Sequence, residues 1–104
     1  MTKKTPEFTI GKVPIHGDLI LAPMDGITDQ PLRGICRKLG SAMSVTEFIN
    51  ALDVLTNHPR YQHRLAFEPS QRPLSLQMLG DEANQILRAS EQLVPKVKPD
   101  IIDI

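Results

Sequence analysis

The chain has 104 residues, 40% of them hydrophobic, and its 12 basic residues balance its 12 acidic ones. This length suits one small domain, and the balanced charge excludes an overall field that would draw it to nucleic acid, a membrane or an acidic partner. A single cysteine excludes an internal disulfide, and no apolar run approaches the roughly 20 residues that span a bilayer, so we expect a cytoplasmic protein.

The amino-terminal part predicts a short hairpin and then a buried strand. We expect residues 1–7, which are polar, to be extended or disordered. Alternating residues over 8–10 and 13–15 flank a Gly-Lys pair, which is typical of a β-hairpin turn. The continuous apolar run over 19–22 predicts a strand covered on both faces, as in a parallel sheet.

A helix is predicted after this strand. Thr28 is the expected N-cap, and Gly40 supplies the expected stop. Apolar residues recur at the spacing of one helical face and predict its buried side, namely Leu32, Ile35, Cys36 and Leu39. Because Cys36 falls on this face, we interpret its thiol as a small buried hydrophobe rather than a reactive group.

The middle of the chain carries weaker signals. A second strand is predicted over 42–46 and a short helix over 48–55, followed by a polar, irregular stretch over 56–71. Within that stretch, residues 57–64 are basic with one aromatic side chain. Such a segment could contact phosphate or stack on a base, although a solvated connection is the simpler interpretation.

The last third predicts one more strand and helix and the start of another strand. Residues 73–79 predict the third strand. Asp81 is the expected cap of a second long helix, which Pro95 and Pro99 would end. Residues 101–104 then begin a fourth strand.

Strands that alternate with helices predict parallel pairing, in an eight-stranded (β/α) barrel or an open doubly wound sheet. The first loop, residues 22–28, lacks the Gly-x-Gly-x-x-Gly fingerprint of a dinucleotide-binding sheet, which favours the barrel. We expect residues 8–104 to form the amino-terminal half of a (β/α)8 TIM barrel, with about four parallel strands and an amino-terminal hairpin. Its open sheet edges predict self-association.

Candidate binding groups lie where the predicted strands end, since functional loops of α/β proteins follow the carboxyl ends of strands. Between Pro23 and Gly26, Met24 would offer a soft apolar surface to a flat aromatic ligand, unless the segment is an ordinary turn. Gln77 could bind the amide edge of a heterocycle, or it could be a structural glutamine. Glu47 has no identifiable partner and is interpreted as structural.

Two other groups of residues predict no catalytic or metal site. Asp103 lies inside the fourth strand and is interpreted as structural. The three histidines do not share a helical face and predict no metal site; they are His16, His58 and His63.

Four segments in order and spacing resemble the tRNA-dihydrouridine synthases. They are residues 21–33, 45–48, 76–80 and 100–104, and the resemblance covers residues 8–104. It implies an FMN-containing (β/α) barrel followed by a helical tRNA-binding domain. Such an enzyme reduces the C5–C6 bond of uridine in tRNA, with electrons that pass from NADPH through the flavin.

Carried over by position, the resemblance implies that Pro23, Met24 and Asp25 line the flavin and that Gln77 hydrogen-bonds its isoalloxazine ring. The family's general acid is a cysteine in a loop that would begin directly after Ile104. We therefore expect no catalytic residue within this chain and no activity from it alone. The alternatives are another FMN-dependent barrel oxidoreductase, similar to dihydroorotate dehydrogenase, and a noncatalytic βα module that binds a partner.

Overall fold

The computed structural model describes residues 5–104, and the first strands in that range form a hairpin. β1 (Phe8–Ile10) pairs antiparallel with β2 (Val13–Ile15), as the sequence predicts. The extended or disordered start was predicted for residues 1–7, and residues 1–4 of it lie outside the described range.

A second, parallel sheet is built around β5 (Leu74–Leu79), the predicted third strand. β6 (Ile101–Asp103), the predicted fourth strand, pairs along one side of β5. β3 (Ser44–Val45) and β4 (Ile49–Asn50) pair with β5 one after the other along its other side. The second strand predicted over 42–46 is thus shorter than expected and is continued by β4.

Residues 46–48 form a bulge between β3 and β4. Val45 lies opposite Ser75 and Ile49 lies opposite Met78, so four steps along the bulged chain face three steps along β5. An extra residue of this kind bends the strand and changes where its side chains point, often next to functional sites. The bulge occupies the part of the sheet that leads to the carboxyl ends of the strands.

The strand predicted over 19–22 is wrong. Leu19 accepts one backbone hydrogen bond, from Ala42 at 2.8 Å, but the Leu21 N–H donates to the hydroxyl of Ser41 at 3.0 Å instead of to a strand carbonyl. A single backbone bond does not make a ladder, and the Leu19 residue stays 73% exposed. Within the described residues, the parallel sheet has three strand positions instead of the predicted four.

The first helix, α1 (Gln30–Lys38), is found where it was predicted, but its cap is not. The carboxylate of Asp29 accepts a hydrogen bond from the backbone N–H of Leu32 at 3.1 Å. Thr28 is therefore not the N-cap, because its hydroxyl is already bonded within the preceding loop.

The buried face predicted for α1 is found only in part, with Leu32 and Cys36 half-buried. Ile35 is 54% exposed and Leu39 is 82% exposed, whereas Arg33 is 1% exposed. The apolar spacing therefore identifies the helix but not which of its residues are buried. Arg33 faces inward because backbone carbonyl groups are available to its guanidinium.

The helix predicted over 48–55 is shorter than expected. Its first residues pair with β5 as β4, and α2 covers only Ala51–Leu55, capped by the side chain of Asn50. The stretch predicted as irregular contains two 3₁₀ helices, Pro59–Leu65 and Pro69–Gln71. Proline begins both, where its missing N–H is not needed.

The long helix α3 (Ala83–Val97) has different ends from those predicted. Glu82, not Asp81, occupies the N-cap position, without a side-chain cap bond. Pro95 lies inside the helix instead of ending it, because a proline removes only one N–H donor from the last turn. The helix ends at Lys98, which has a left-handed φ of 52°.

The core divides between the two faces of the parallel sheet. Side chains alternate along a strand, so neighbouring residues of β5 point to opposite faces. One face packs against α2 and α3 in a cluster that contains Ile49, Ala51, Val54, Tyr61, Leu76, Met78, Ala89 and Leu93. The other packs against the hairpin in a cluster of Ile15, Ala42 and Met43, with Val13, Val45 and Ile101 at its border.

Candidate active site

The hairpin-side face of the sheet changes from apolar to polar towards the carboxyl ends of the strands. Val45, Ser75 and Ile101 are neighbours in register across three strands. Two residues further on, Gln77 of β5 lies opposite Asp103 of β6, on the same face by strand alternation. The Gln77 Nε2 donates a hydrogen bond to Asp103 Oδ2 at 3.0 Å.

An open cavity of about 330 Å³ lies along this face. Its walls are mainly apolar, and Asp103 contributes the charged group. The apolar residues include Ile10, Ile20, Met43, Val45 and Ile101. The cavity thus has a mainly apolar lining with one carboxylate, and Gln77 is hydrogen-bonded to that carboxylate.

The first loop, residues 22–28, folds around Met24. Both Ile27 and Thr28 donate their backbone N–H groups to the Met24 carbonyl at 3.0 Å. The Thr28 hydroxyl accepts from the Met24 N–H at 2.9 Å and is fully buried. These bonds fix the backbone of Met24 while its residue stays 39% exposed. Pro23, the preceding residue, is half-buried.

Glu47, in the bulge, holds this loop in place. It is 4% exposed, and its Oε2 accepts a hydrogen bond from the backbone N–H of Gly26 at 2.5 Å. No partner for Glu47 could be identified from the sequence, and the Gly26 N–H is the partner that the structure shows. The signal that could have pointed to this contact is an acidic residue directly after a predicted strand, because the loops that follow parallel strands lie at the same edge of the sheet.

Arg33 ties the same loop to the 3₁₀ segment. Its Nη1 donates to the Thr28 carbonyl at 2.8 Å and its Nη2 to the Ala66 carbonyl at 2.7 Å. Burial lowers the pKa of the Arg33 guanidinium, while the nearby carboxylates of Glu47 and Asp29 act in the opposite direction. A buried arginine among carbonyls and a carboxylate acts as a fixed cross-link.

Asp25, a predicted flavin-lining residue, pairs with Arg64 of the 3₁₀ helix. Arg64 also donates to the Phe48 carbonyl at 2.8 Å, and its guanidinium lies 4.8 Å from the centre of the Phe48 ring. The loop is therefore fastened at three points, by Glu47, Arg33 and Arg64.

Hydrogen bonds connect the segments that carry the four predicted binding residues, at the carboxyl ends of the strands. Pro23, Met24 and Asp25 belong to the first loop, which joins the bulge through Glu47. The bulge joins β5, because the hydroxyl of its first residue, Thr46, accepts from the Gln77 N–H at 3.1 Å. Gln77 then joins β6, as described above. We call this set of contacts the carboxyl-edge row.

The basic segment over 57–64 lines a separate cavity of about 390 Å³. Both arginines of this segment bind carboxylates of the chain. Arg64 pairs with Asp25, and Arg60 donates two hydrogen bonds of 2.7 Å to the carboxylate of Asp53. The Arg60 hydrogen bond holds the pKa of Asp53 below its ordinary value of 3.8. The segment is thus an ordered part of the fold.

Other predicted features lie apart from the row. Cys36 is half-buried on α1. Among residues 5–104, no group of three or more His, Cys, Asp and Glu side chains could hold a metal ion. In the same range, no helix has the length and apolar content to cross a membrane.

A comparison with protein families gives a match along most of the chain. The family described as Dihydrouridine synthase (Dus) matches residues 20–104. The chain belongs to the dihydrouridine synthase family. This confirms the resemblance inferred from the sequence.

Curated relatives agree with this membership. The probable tRNA-dihydrouridine synthase of Aquifex aeolicus is 39% identical over 89 residues, which is 85% of this chain and 28% of the relative. tRNA-dihydrouridine synthase B is 37% identical over 95 residues in Pseudomonas syringae pv. tomato and 32% in Vibrio cholerae. Each alignment covers 91% of this chain and 28% or 29% of the relative.

The chain therefore spans less than a third of the length of these relatives. No solved structure matches the chain.

Proposed function

We propose that the full-length protein reduces uridine in tRNA to 5,6-dihydrouridine, with FMN as cofactor and NADPH as electron donor. Family membership and the names of the curated relatives support the reaction. FMN and NADPH are inferred from the resemblance to the family. The observation in this chain that supports the proposal is the carboxyl-edge row, which connects the first loop, the bulge, β5 and β6 through hydrogen bonds.

The residues present fit a flat redox ring. The cavity on the sheet face is lined mainly by apolar side chains, and the carboxylate in that lining, Asp103, accepts a hydrogen bond from the Gln77 carboxamide. Met24 adds a half-exposed thioether on a loop whose backbone is fixed. Aromatic surfaces interact favourably with a polarizable sulfur and with apolar floors.

Each proposed residue has a distinct part in binding. Pro23 and Met24 would contact the ring, and Gln77 would hydrogen-bond its polar edge. Asp25 would contribute through the loop that it and Arg64 hold in place. When bound, the flavin supplies hydride transfer to the uracil ring. The residues of this chain would orient the ring and exclude water from one of its faces.

The barrel architecture is also part of the proposal. Within residues 5–104, β6 pairs with β5 along one edge and has no strand on its other edge. Further strands would cover that edge in a TIM barrel. We propose that residues 1–104 alone self-associate through such edges and do not catalyse the reaction, and that the full-length protein acts in the cytoplasm.

The other interpretations of the sequence have less support. A different FMN-dependent barrel enzyme, similar to dihydroorotate dehydrogenase, would not account for the family match. A noncatalytic βα module would not account for relatives named as synthases.

The proposal can be tested with the purified full-length protein and an unmodified tRNA transcript. We expect bound FMN, oxidation of NADPH that depends on tRNA, and dihydrouridine in the product by mass spectrometry. Gln77→Ala should lower the flavin content, whereas the exposed Gln92→Ala on α3 serves as the matched control. NADPH oxidation without any dihydrouridine would contradict the proposal.

A further inference from the structure

The contact between Gln77 and Asp103 fixes the direction of a carboxamide. The two residues are partners in register on adjacent strands, and Gln77 Nε2 lies 3.0 Å from Asp103 Oδ2. An ionised carboxylate has acceptors and no donor, so only the NH₂ group of Gln77 can face it. The nitrogen and oxygen of this amide are therefore assigned by chemistry.

This direction determines what Gln77 can offer a ligand. Among residues 5–104, no donor bonds to Gln77 Oε1. The carboxamide thus keeps a free acceptor on the side away from Asp103, and its second N–H is still available. A complementary ligand edge must place an N–H donor opposite Oε1 and a carbonyl beside it.

A cyclic imide has such an edge, because its ring N–H lies between two carbonyl groups. Both the pyrimidine portion of a flavin and the uracil base contain this group. The shared chemistry follows from the orientation of the amide, whichever of the two molecules supplies it.

We propose that Asp103 is a positioning residue that aims the Gln77 acceptor at the N–H of a cyclic imide. The inference rests on the proposed function and names the ligand edge that this site would recognise. Asp103 would act through Gln77 without touching the ligand. Without Asp103, the Gln77 carboxamide could rotate by about 180° and place its NH₂ group against the imide N–H. Two donors would then face each other, and the hydrogen bond to the ligand would be lost.

The test compares ligands with and without the imide hydrogen, in the full-length protein. FMN and N3-methyl-FMN are titrated into apoprotein, and a uridine oligonucleotide and its N3-methyluridine counterpart are titrated into the flavin-loaded protein. In one of these two arms we expect the wild type to bind the unmethylated ligand more tightly. Asp103→Ala should lower that preference about threefold to tenfold, the value of one hydrogen bond.

The change in preference is the informative quantity, because the bulk of the methyl group affects wild type and variant alike. A change in the flavin arm assigns the imide to FMN, and a change in the RNA arm assigns it to uracil. Gln77→Ala should remove the same preference in the same arm. Asp18→Ala, at an exposed position before the first loop, is the matched control and should keep it.

An Asp103→Ala protein that keeps the full wild-type preference in both arms would overturn the inference. If that variant does not fold, Asp103→Asn replaces it, since an asparagine lets the Gln77 amide take either direction. An intermediate preference is then expected, and an unchanged one overturns the inference. If the preference is unchanged but dihydrouridine still forms normally, only the inference about Asp103 fails and the proposed function stands. A wild-type protein that binds no FMN and forms no dihydrouridine would contradict the proposed function itself.

Discussion

The carboxylate of Glu47 accepts a hydrogen bond from the backbone N–H of Gly26, 21 residues earlier in the chain. Gly26 has a φ of 77°, which residues with a side chain rarely adopt, although nothing lies within 4 Å of where its Cβ would be. The glycine is thus required by backbone conformation and not by crowding. A buried acid and a left-handed glycine together set the shape of the first loop.

Replacement of Glu47 by alanine should loosen this loop. The Gly26 N–H would lose its acceptor and Arg33 would lose a nearby negative charge, at a cost of about 1–3 kcal/mol in the free energy of unfolding. We expect a lower flavin content at the same time. Urea denaturation and flavin absorbance of the full-length variant measure the two effects, and Glu91→Ala on the exposed side of α3 is the control. Wild-type values for both would reject the role given to Glu47.

Arg33→Met should destabilise the protein although methionine keeps an unbranched apolar stem at this buried position. The carbonyls of Thr28 and Ala66 would lose their donors, and Glu47 would lose a nearby cation. We expect a loss on the order of 3 kcal/mol in the free energy of unfolding. Arg88→Met, at an exposed position of α3, should change it little. Equal effects of the two substitutions would show that the buried contacts contribute nothing specific.

The ion pair of Asp53 and Arg60 should make the free energy of unfolding depend on pH. The hydrogen bond from Arg60 lowers the pKa of Asp53 in the folded protein. The ion pair therefore stabilises the fold fully at pH values above the ordinary pKa of 3.8, and this stabilisation is lost as the pH falls through the lower pKa of the folded state. Urea midpoints of the wild type and Asp53→Asn should therefore differ at neutral pH and converge below pH 3.8. The exposed Asp18→Asn is the control. A difference that stays constant down to pH 2 would contradict this assignment.

Cys36→Ser should leave flavin content and dihydrouridine formation near wild-type levels. Cys36 is half-buried on α1 and contacts no part of the carboxyl-edge row through a hydrogen bond. Turnover and flavin absorbance of the full-length variant check this. Loss of activity in a folded, flavin-loaded Cys36→Ser protein would show that the thiol takes part in the reaction.

The fold could be predicted where local pattern and tertiary contacts agree. β5 and β6 occur where apolar runs follow prolines, and the hairpin occurs where alternating residues flank a glycine. Residues 19–22 have an equally apolar pattern but no ladder, because the N–H of Leu21 bonds a serine hydroxyl. Apolar content predicts burial, and it does not identify the hydrogen-bond partner.

The site could be predicted in part. The segments that carry the candidate binding residues could be identified, but the side chains that hold the first loop, Glu47, Arg33 and Arg64, were not recognised as such. Arg33 lies on a face that helical spacing assigns to solvent. Charged residues become buried when carbonyls or carboxylates from distant segments meet them, and periodicity within one helix carries no information about those partners.

The most direct test of the proposed reaction is mass spectrometry of tRNA from cells that lack the intact gene. Loss of dihydrouridine from at least one position, where a uridine two hydrogen atoms lighter appears, is the predicted result, and the intact gene should restore it. Dihydrouridine at wild-type levels in every position would contradict the proposed function.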